Sequence, residues 1–362
     1  MAKLGELVRI RTGSLDANAA SADGDYPFFT CAARPLRINS YSFDCECVIL
    51  SGNGSVNVTY YCGKFDAYQR TYVIESLDKR RLTVPYLWYF LDSYAPVLQQ
   101  RAKGGVIKYL RLSDLTEAEI HLPDIEEQNR IAAAFRELEN AAESRRRQLD
   151  LIPVLRNARY NELFGDMCAG AGLGEVCRIV RGSSPRPIGK FLGSGVPWIR
   201  IGDANEQSIY ISETARTITP EGALCSHKVP AGTVIFAACG VSLGFAKITA
   251  VEGCIHDGWL ALEDIDERLD EIFLMQSLCS RVDYFRSIAP SGTQPNLNTR
   301  IMKMQPQVIP PMKMQKEFRK FVLETEGFTR RTLQSLQELS SLKHKLQAAS
   351  CSQLDHPHGV AR

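Results

Sequence analysis

The chain has 362 residues, 44% of them hydrophobic and 23% charged, with a formal net charge of +2. That length allows two or three domains with cores of their own, and that composition excludes a disordered or fibrous chain. The near-neutral balance excludes a protein held to polyanions by bulk charge and leaves room only for local basic patches.

From the N-terminus, Met1-Ala2-Lys3-Leu4 enters a folded segment with no apolar leader. No run of about eighteen apolar residues follows, so the expectation is a cytoplasmic protein without a membrane span. Short β-branched and aromatic runs come next, such as Val56-Asn57-Val58-Thr59-Tyr60-Tyr61 and Thr71-Tyr72-Val73-Ile74, separated by Gly, Asn, Asp and Ser. They predict strands and turns, with a helix near 84–99. After Leu122-Pro123-Asp124 a charged stretch carries Ile131, Phe135, Leu138, Ala142, Leu149 and Ile152 at helical spacing. Arg145 interrupts that stripe, and Pro153, which lacks a backbone donor, is expected to kink or break the helix.

The pattern then starts again. Leu4-Gly5-Glu6-Leu7-Val8-Arg9-Ile10-Arg11-Thr12-Gly13 returns as Leu173-Gly174-Glu175-Val176-Cys177-Arg178-Ile179-Val180-Arg181-Gly182, identical at six of ten positions. Tyr26-Pro27-Phe28-Phe29 answers Val196-Pro197-Trp198-Ile199, and Val48-Ile49-Leu50 with Gly52 and Gly54 answers Val234-Ile235-Phe236 with Gly240 and Gly244. A second interrupting helix is predicted near 269–286. Leu122-Pro123-Asp124-Ile125-Glu126-Glu127-Gln128 answers Ile309-Pro310-Pro311-Met312-Lys313-Met314-Gln315. The helix that follows has a heptad stripe: Phe318, Phe321, Thr325, Phe328, Thr332, Ser335, Leu339, Leu342, Leu346 and Ala349. Four matches in one order make the chain a tandem repeat.

The predicted fold is α+β: two mixed α/β globules, each followed by a long helix, the two helices pairing as an antiparallel coiled coil. The boundaries read as 1–124, a helical spacer 125–165, 166–310, a second spacer 311–350, and a flexible tail 351–362. The pairing positions are Ile131, Phe135, Leu138, Ala142, Leu149 and Ile152 against Phe318, Phe321, Phe328, Leu339, Leu342 and Leu346.

Catalytic patterns are sparse. No Asn-Pro-Pro-Tyr or Asp-Pro-Pro-Tyr tetrad is present. Gly170-Ala171-Gly172-Leu173-Gly174 follows a helix end rather than a strand and reads as a linker. Gly182 to Lys190 fails as a phosphate loop, with Ser184 in place of a glycine and Phe191 where a magnesium-binding hydroxyl belongs. The eleven cysteines include no CxxC pair, so no metal site is expected and the thiols read as reduced. His256-Asp257 is a pair without a nucleophile beside it and reads as structural.

A tandem of two globules and two helices without a catalytic centre resembles the specificity subunits of Type I restriction-modification systems. Leu4-Gly5-Glu6 and Leu173-Gly174-Glu175 resemble the entry of that family's target-recognition domains. Gly182-Ser183-Ser184-Pro185 and Val196 to Asp203 resemble its early core, and Ser291-Gly292-Thr293-Gln294-Pro295-Asn296-Leu297 its late loop. Leu163-Phe164-Gly165-Asp166 and Pro310-Pro311 to Gln315 resemble its spacer borders. The first copy departs, with Gly104-Gly105-Val106-Ile107-Lys108-Tyr109-Leu110 at the late loop and no Pro after Gly13. The resemblance implies a non-catalytic subunit that reads a two-part double-stranded DNA target. It also implies docking of two methyltransferase subunits carrying S-adenosylmethionine, and of a nuclease/translocase carrying ATP and magnesium, with no cofactor in this chain. The alternatives are a specificity subunit of a fused nuclease-methyltransferase system, or a coiled-coil adaptor that does not bind DNA.

Arg and Lys pair with guanine, and Asn and Gln with adenine, in the major groove. The candidates are Arg34, Asn53, Asn57, Lys64, Gln69, Arg70, Lys103 and Lys108 in the first copy. In the second they are Arg186, Lys190, Arg200, Lys247, Thr293, Gln294 and Asn296.

Overall fold

The structure is a computed structural model and describes residues 1–104, 108–240, 242–289 and 296–352, without side chains from 349 onward. The chain divides into two compact units. Unit 1 comprises Met1–Glu143 with the segment from Glu338, and unit 2 comprises Ser144–Gln337.

Unit 1 is built on a six-stranded sheet. Its strands are β1 (Val8–Thr12), β2 (Tyr26–Phe29), β3 (Leu36–Ile38), β4 (Phe43–Ser51), β5 (Val58–Ala67) and β6 (Thr71–Ser76), in the order β1-β6-β4-β5-β2-β3. Every pairing is antiparallel except β2 with β5, where Phe28 faces Asp66 and Phe29 faces Ala67. One side of the sheet carries Phe29, Phe43, Cys47, Ile49, Phe65 and Val73 as a small core. The alternate residues Val48, Leu50 and Ile74 face helix α1 (Val84–Arg101) in a larger one.

Unit 2 repeats the plan with its strands divided between two sheets. They are β7 (Arg178–Arg181), β8 (Leu192–Ile199), β9 (Tyr210–Ile211), β10 (Thr217–Ile218), β11 (His227–Val229), β12 (Val234–Ala237), β13 (Ala246–Thr249), β14 (Gly253–Ile255) and β15 (Trp259–Glu263). One sheet runs β7-β15-β12-β13-β9 and the other β10-β8-β14-β11. The registers superimpose the copies: Ile10 faces Ile74 as Ile179 faces Leu262, and Val48 faces Ile74 as Val234 faces Leu262. The long β5 corresponds to β13 and β14 together, because β14 pairs parallel with β8 as the end of β5 pairs with β2. The second interrupting helix is two, α3 (Glu271–Cys279) and α4 (Val282–Ile288).

The helix starts are written in capping residues. Thr83 accepts from Tyr86 N to open α1, and Asp270 accepts from Ile272 N and Phe273 N to open α3. Each cap is held by a fully buried glutamine from the first turn of a long helix. The Gln128 side chain accepts from Thr83 N and donates to the carbonyls of Arg81 and Pro123. The Gln315 side chain accepts from Asp270 N and donates to those of Arg268 and Pro310.

The long helices are α2 (Ile125–Phe164) and α5 (Met312–Ser352), and each contributes one stretch to each unit. Inside unit 2 they run antiparallel. Arg145 meets Ser335, Arg156 meets Thr325 and Glu326, and Tyr160 and Phe164 pack their rings on Phe318. Inside unit 1, Lys343 of α5 ion-pairs with Glu139 of α2 and sits over the Phe135 ring. Phe135, Ala142, Leu149, Ile152 and Phe318 are buried, Ile131 and Phe321 pack half-buried on the unit 1 and unit 2 cores, and Leu138 and Leu339 are half-buried. Leu346 packs against the unit 1 core.

Two expectations change. The helix does not break at Pro153, where the flanking Ile152, Arg156 and Tyr160 are buried and offset the lost hydrogen bond. Phe328 and Leu342 are 40% and 50% exposed, while Val322, Glu326, Thr329 and Thr332 are buried. The buried stripe of α5 is rotated from the apolar one, because the partner stretch of α2 brings Arg156 rather than an apolar side chain to this face. Among the described residues no helix is long and apolar enough to cross a membrane.

Candidate nucleic-acid interface

In unit 1 the loops after β1, β2, β4 and β5 are tied together by main-chain bonds. Gly13 N donates to Thr71 O, Gly52 N to Arg70 O, and Tyr68 N to Phe29 O. Gly13 has no room for a side chain: a Cβ there would lie 1.8 Å from Ala67 O. A later segment closes the cluster. Lys103 and Tyr109 exchange main-chain bonds, Gly54 N donates to Lys108 O, and Leu110 N donates to Gly52 O.

Unit 2 repeats this. A Cβ on Gly182 would meet His256 O at 2.3 Å. Leu297 N donates to Ala238 O as Leu110 N does to Gly52 O, and Cys239 bridges Asn296 as Asn53 bridges Tyr109. Gly54 and Gly240 occupy the same place with φ of 73° and 76°, a backbone that favours glycine. The register therefore matches Gly54 to Gly240, and Gly52 to Ala238.

These loops gather most of the sequence candidates of unit 1. Asn57 Nδ2 donates to Cys31 O, Gln69 Nε2 donates to Asp16 Oδ1, and Asn53 and Asn57 line a cleft with Thr30 and Tyr68. Arg34, Arg70, Lys103 and Lys108 are exposed. Lys64 lies apart, within β5 opposite Asp44, with its ammonium over the Tyr41 ring.

In unit 2, Asp257 organises the cluster. Its carboxylate accepts from Ser184 Oγ at 3.3 Å and Arg186 at 3.4 Å, and lies 2.9 Å from His256 Nε2. Arg181 donates to the Asp257 carbonyl and to Asn296 Oδ1 at 2.8 Å. Burial holds His256 below the usual histidine range, against the pull of Asp257. At neutral pH the ring is therefore uncharged and offers one donor and one acceptor. Arg200 is half-buried, bonded to Asp203 and set over the Trp198 ring, and Lys190 is exposed. Thr293 and Gln294 lie outside the described residues.

Lys247 is corrected. It is 7% exposed, and its ammonium meets the carbonyls of Asn205, Glu206 and Ser208. Every residue of β13 is buried, so no position on it faces solvent. Arg181, Ser184 and Asp257 join this loop cluster and are absent from the sequence candidates. Arg181 appears in the sequence only within the repeated entry segment, and its partner Asn296 is far away along the chain. Among the described residues no group of three or more His, Cys, Asp or Glu is placed to hold a metal.

Comparison with known proteins follows the same duplication. The family model for the Type I restriction modification DNA specificity domain matches residues 1–152 and 171–338. The chain is 43% identical over 153 residues to the Type I restriction enzyme EcoDI specificity subunit of Escherichia coli, a match covering 42% of this chain and 34% of that protein. The fold is shared with the crystal structure of a Type I restriction-modification system S subunit from M. genitalium. That match has a TM-score of 0.61 and 18% identity, covering 96% of this chain and 94% of that one. A structure from work on complex assembly and conformational transition of the Type I R-M system gives a TM-score of 0.53 and 18% identity, over 96% of both chains. With both copies of the repeat matched by the family model, the chain belongs to the Type I restriction modification DNA specificity domain family.

Proposed function

We propose that this chain is the non-catalytic DNA-recognition subunit of a Type I restriction-modification complex, each unit reading one half of a split double-stranded target. The observation that carries the reading is the duplicated loop platform, with Asn53, Gln69 and Arg70 in one unit and Arg181, Arg186 and Asn296 in the other. Side chains of these types discriminate base edges in the major groove. Half or more of the hydrogen bonds in such interfaces go to phosphate and sugar, a role that suits exposed Lys103, Lys108 and Lys190. Thr293 and Gln294 belong to the same reading loop by sequence. The long helices dock two methyltransferase subunits, which carry S-adenosylmethionine, and a nuclease/translocase with ATP and magnesium joins for cleavage. The complex works in the cytoplasm.

The test is a selection from a duplex library with the chain assembled on its methyltransferase, beside the chain alone with labelled S-adenosylmethionine. A two-part motif with an unspecified gap, methylated only by the assembly, is the expected result. Absence of any duplex binding by the assembly at low salt would overturn it.

A further inference from the structure

Unit 2 contains a cavity of 410 Å³ walled by Arg156 and Asn157 of α2, Lys247 of β13, Gln276 and Cys279 of α3, and Arg286 of α4. Two of its cations are deeply buried, Arg156 at 3% and Lys247 at 7% exposure. A buried cation is stable beside a counter-charge and costly without one. Among the described residues one buried carboxylate answers the two. Glu326 Oε2 lies 3.0 Å from Arg156 Nη2, and the same carboxylate also accepts from Ser208 Oγ and Ile209 N. Lys247 meets three main-chain carbonyls, which satisfy its donors, while Glu326 and the rim residue Glu206 act on its charge only through space, without a direct ion pair. Burial accordingly holds its ammonium below the ordinary lysine range. Arg286 spends Nε on the Leu243 carbonyl, and its terminal nitrogens have no protein acceptor among the described residues. Asn157 takes a bond from Gln276 on Oδ1 and keeps Nδ2 as a donor at the cavity wall. Glu206 stands at the rim, exposed to water.

Unit 1 shows the balanced version of the same place. The two copies correspond at one constant offset through the short and long helices, Thr83 onto Asp270 and Gln128 onto Gln315. On that offset Lys343 stands for Arg156, Glu139 for Glu326, and Asp92 for Cys279. By strand register, neutral Thr59 stands for Lys247. In unit 1 one cation, Lys343, touches two carboxylates, Asp92 at 2.8 Å and Glu139 at 2.7 Å. Unit 2 has one cation more and one carboxylate fewer.

We infer that this cavity binds a small free anion, a phosphate-like oxyanion or a carboxylate, which supplies the negative charge that Asp92 supplies in unit 1. Arg286 and Asn157 provide the donors, and Arg156 and Lys247 the field. A free anion can pass below exposed Arg286 towards the buried charges of Arg156 and Lys247, a depth that a duplex backbone cannot follow. The inference stands whether or not the chain reads DNA.

Inorganic phosphate is the probe, added to the full chain in melting experiments with ionic strength held constant by chloride. Wild type is expected to show a saturable rise in melting temperature of about 3–6 °C, the size that tight binding to the native state gives a domain of this length. Cys279→Asp restores the carboxylate of unit 1. It should melt higher than wild type without phosphate and lose most of the response. Arg286→Gln, at an exposed position, should fold normally and need about tenfold more phosphate for half-saturation, the loss of one charge-assisted contact. No saturable response in wild type, or an equal response in both variants, overturns the site. A lower melting temperature for Cys279→Asp would show that the cavity lacks no negative charge. Displacement of phosphate by a non-target duplex at equal ionic strength would make the ligand the DNA backbone and overturn the free-anion assignment.

Discussion

Gln128 and Gln315 each tie the start of a long helix to the cap of a shorter one through three main-chain bonds, from a position with no solvent exposure. Removing such a side chain strands one main-chain N–H and two carbonyls, buried or partly buried, and each such group costs up to about 1–3 kcal/mol. Gln315→Ala should therefore destabilise the chain by about 3–5 kcal/mol in denaturant unfolding, the lower part of that summed range because water reaches some of the freed groups. A loss below about 1 kcal/mol would mean that the clasp is incidental. The sequence displayed these glutamines as matching letters in two spacer borders, but the reason for the match lies in partners such as Arg268 and Arg81, dozens of residues away. The interface shows the same limit. Asn296 was legible as a polar residue on a loop, while its bond to Arg181 joins two ends of unit 2 and had no local signal. On the DNA-recognition reading, Asn296→Ala removes one base-reading amide and frees Arg181. It should weaken recognition of one half-site by about 1–3 kcal/mol and leave the other unchanged in a binding selection. Equal weakening of both half-sites would reassign Asn296 to folding.

The strands were legible because their signals are local, β-branched and aromatic runs for β5 and β6. The face of a long helix is not a local property. In α5 the apolar letters at Phe321 and Phe328 define one stripe, and the fold buries the neighbouring one through Val322, Glu326 and Thr329. A polar stripe can be buried there because Glu326 meets Arg156, a partnership that period-counting in either helix alone cannot detect. Lys247 is the same failure on a strand: a charged letter reads as surface until the carbonyls around it are seen. The two stripes separate experimentally. Phe135 is fully buried, and Phe135→Ala should cost about 3–5 kcal/mol for the lost burial and the cavity left behind. Phe328→Ala, at a position 40% exposed, should cost under about 1 kcal/mol. Similar costs for the two, measured by denaturant unfolding, would show that Phe328 belongs to the packed seam after all.

The repeat is the property of the whole molecule that the sequence displayed best, and the structure extends it to the ion pairs between the long helices. Glu139 with Lys343 in unit 1 and Glu326 with Arg156 in unit 2 occupy equivalent positions, so each unit fixes the register of one stretch of the helix pair. On the DNA-recognition reading, the length of helix between these two anchor points sets the gap between half-sites. An insertion in α2 alone must break one anchor. Placed at Glu139 itself, it would disturb the Lys343 pair directly. Four residues added to α2 between Glu143 and Gln148, and four to α5 between Arg331 and Leu336, leave both ion pairs in register. Four residues add about 6 Å of helix and little more than one turn, so rotation is limited. At about 3.4 Å per base pair the unspecified gap should grow by roughly two base pairs, with both half-sites unchanged. The methylated motif in cells carrying the variant and its methyltransferase reads this out. The insertion in α2 alone should give a weaker or inactive protein, because one anchor is lost. An active double-insertion variant with the original gap would show that the helices between the anchors do not set the spacing.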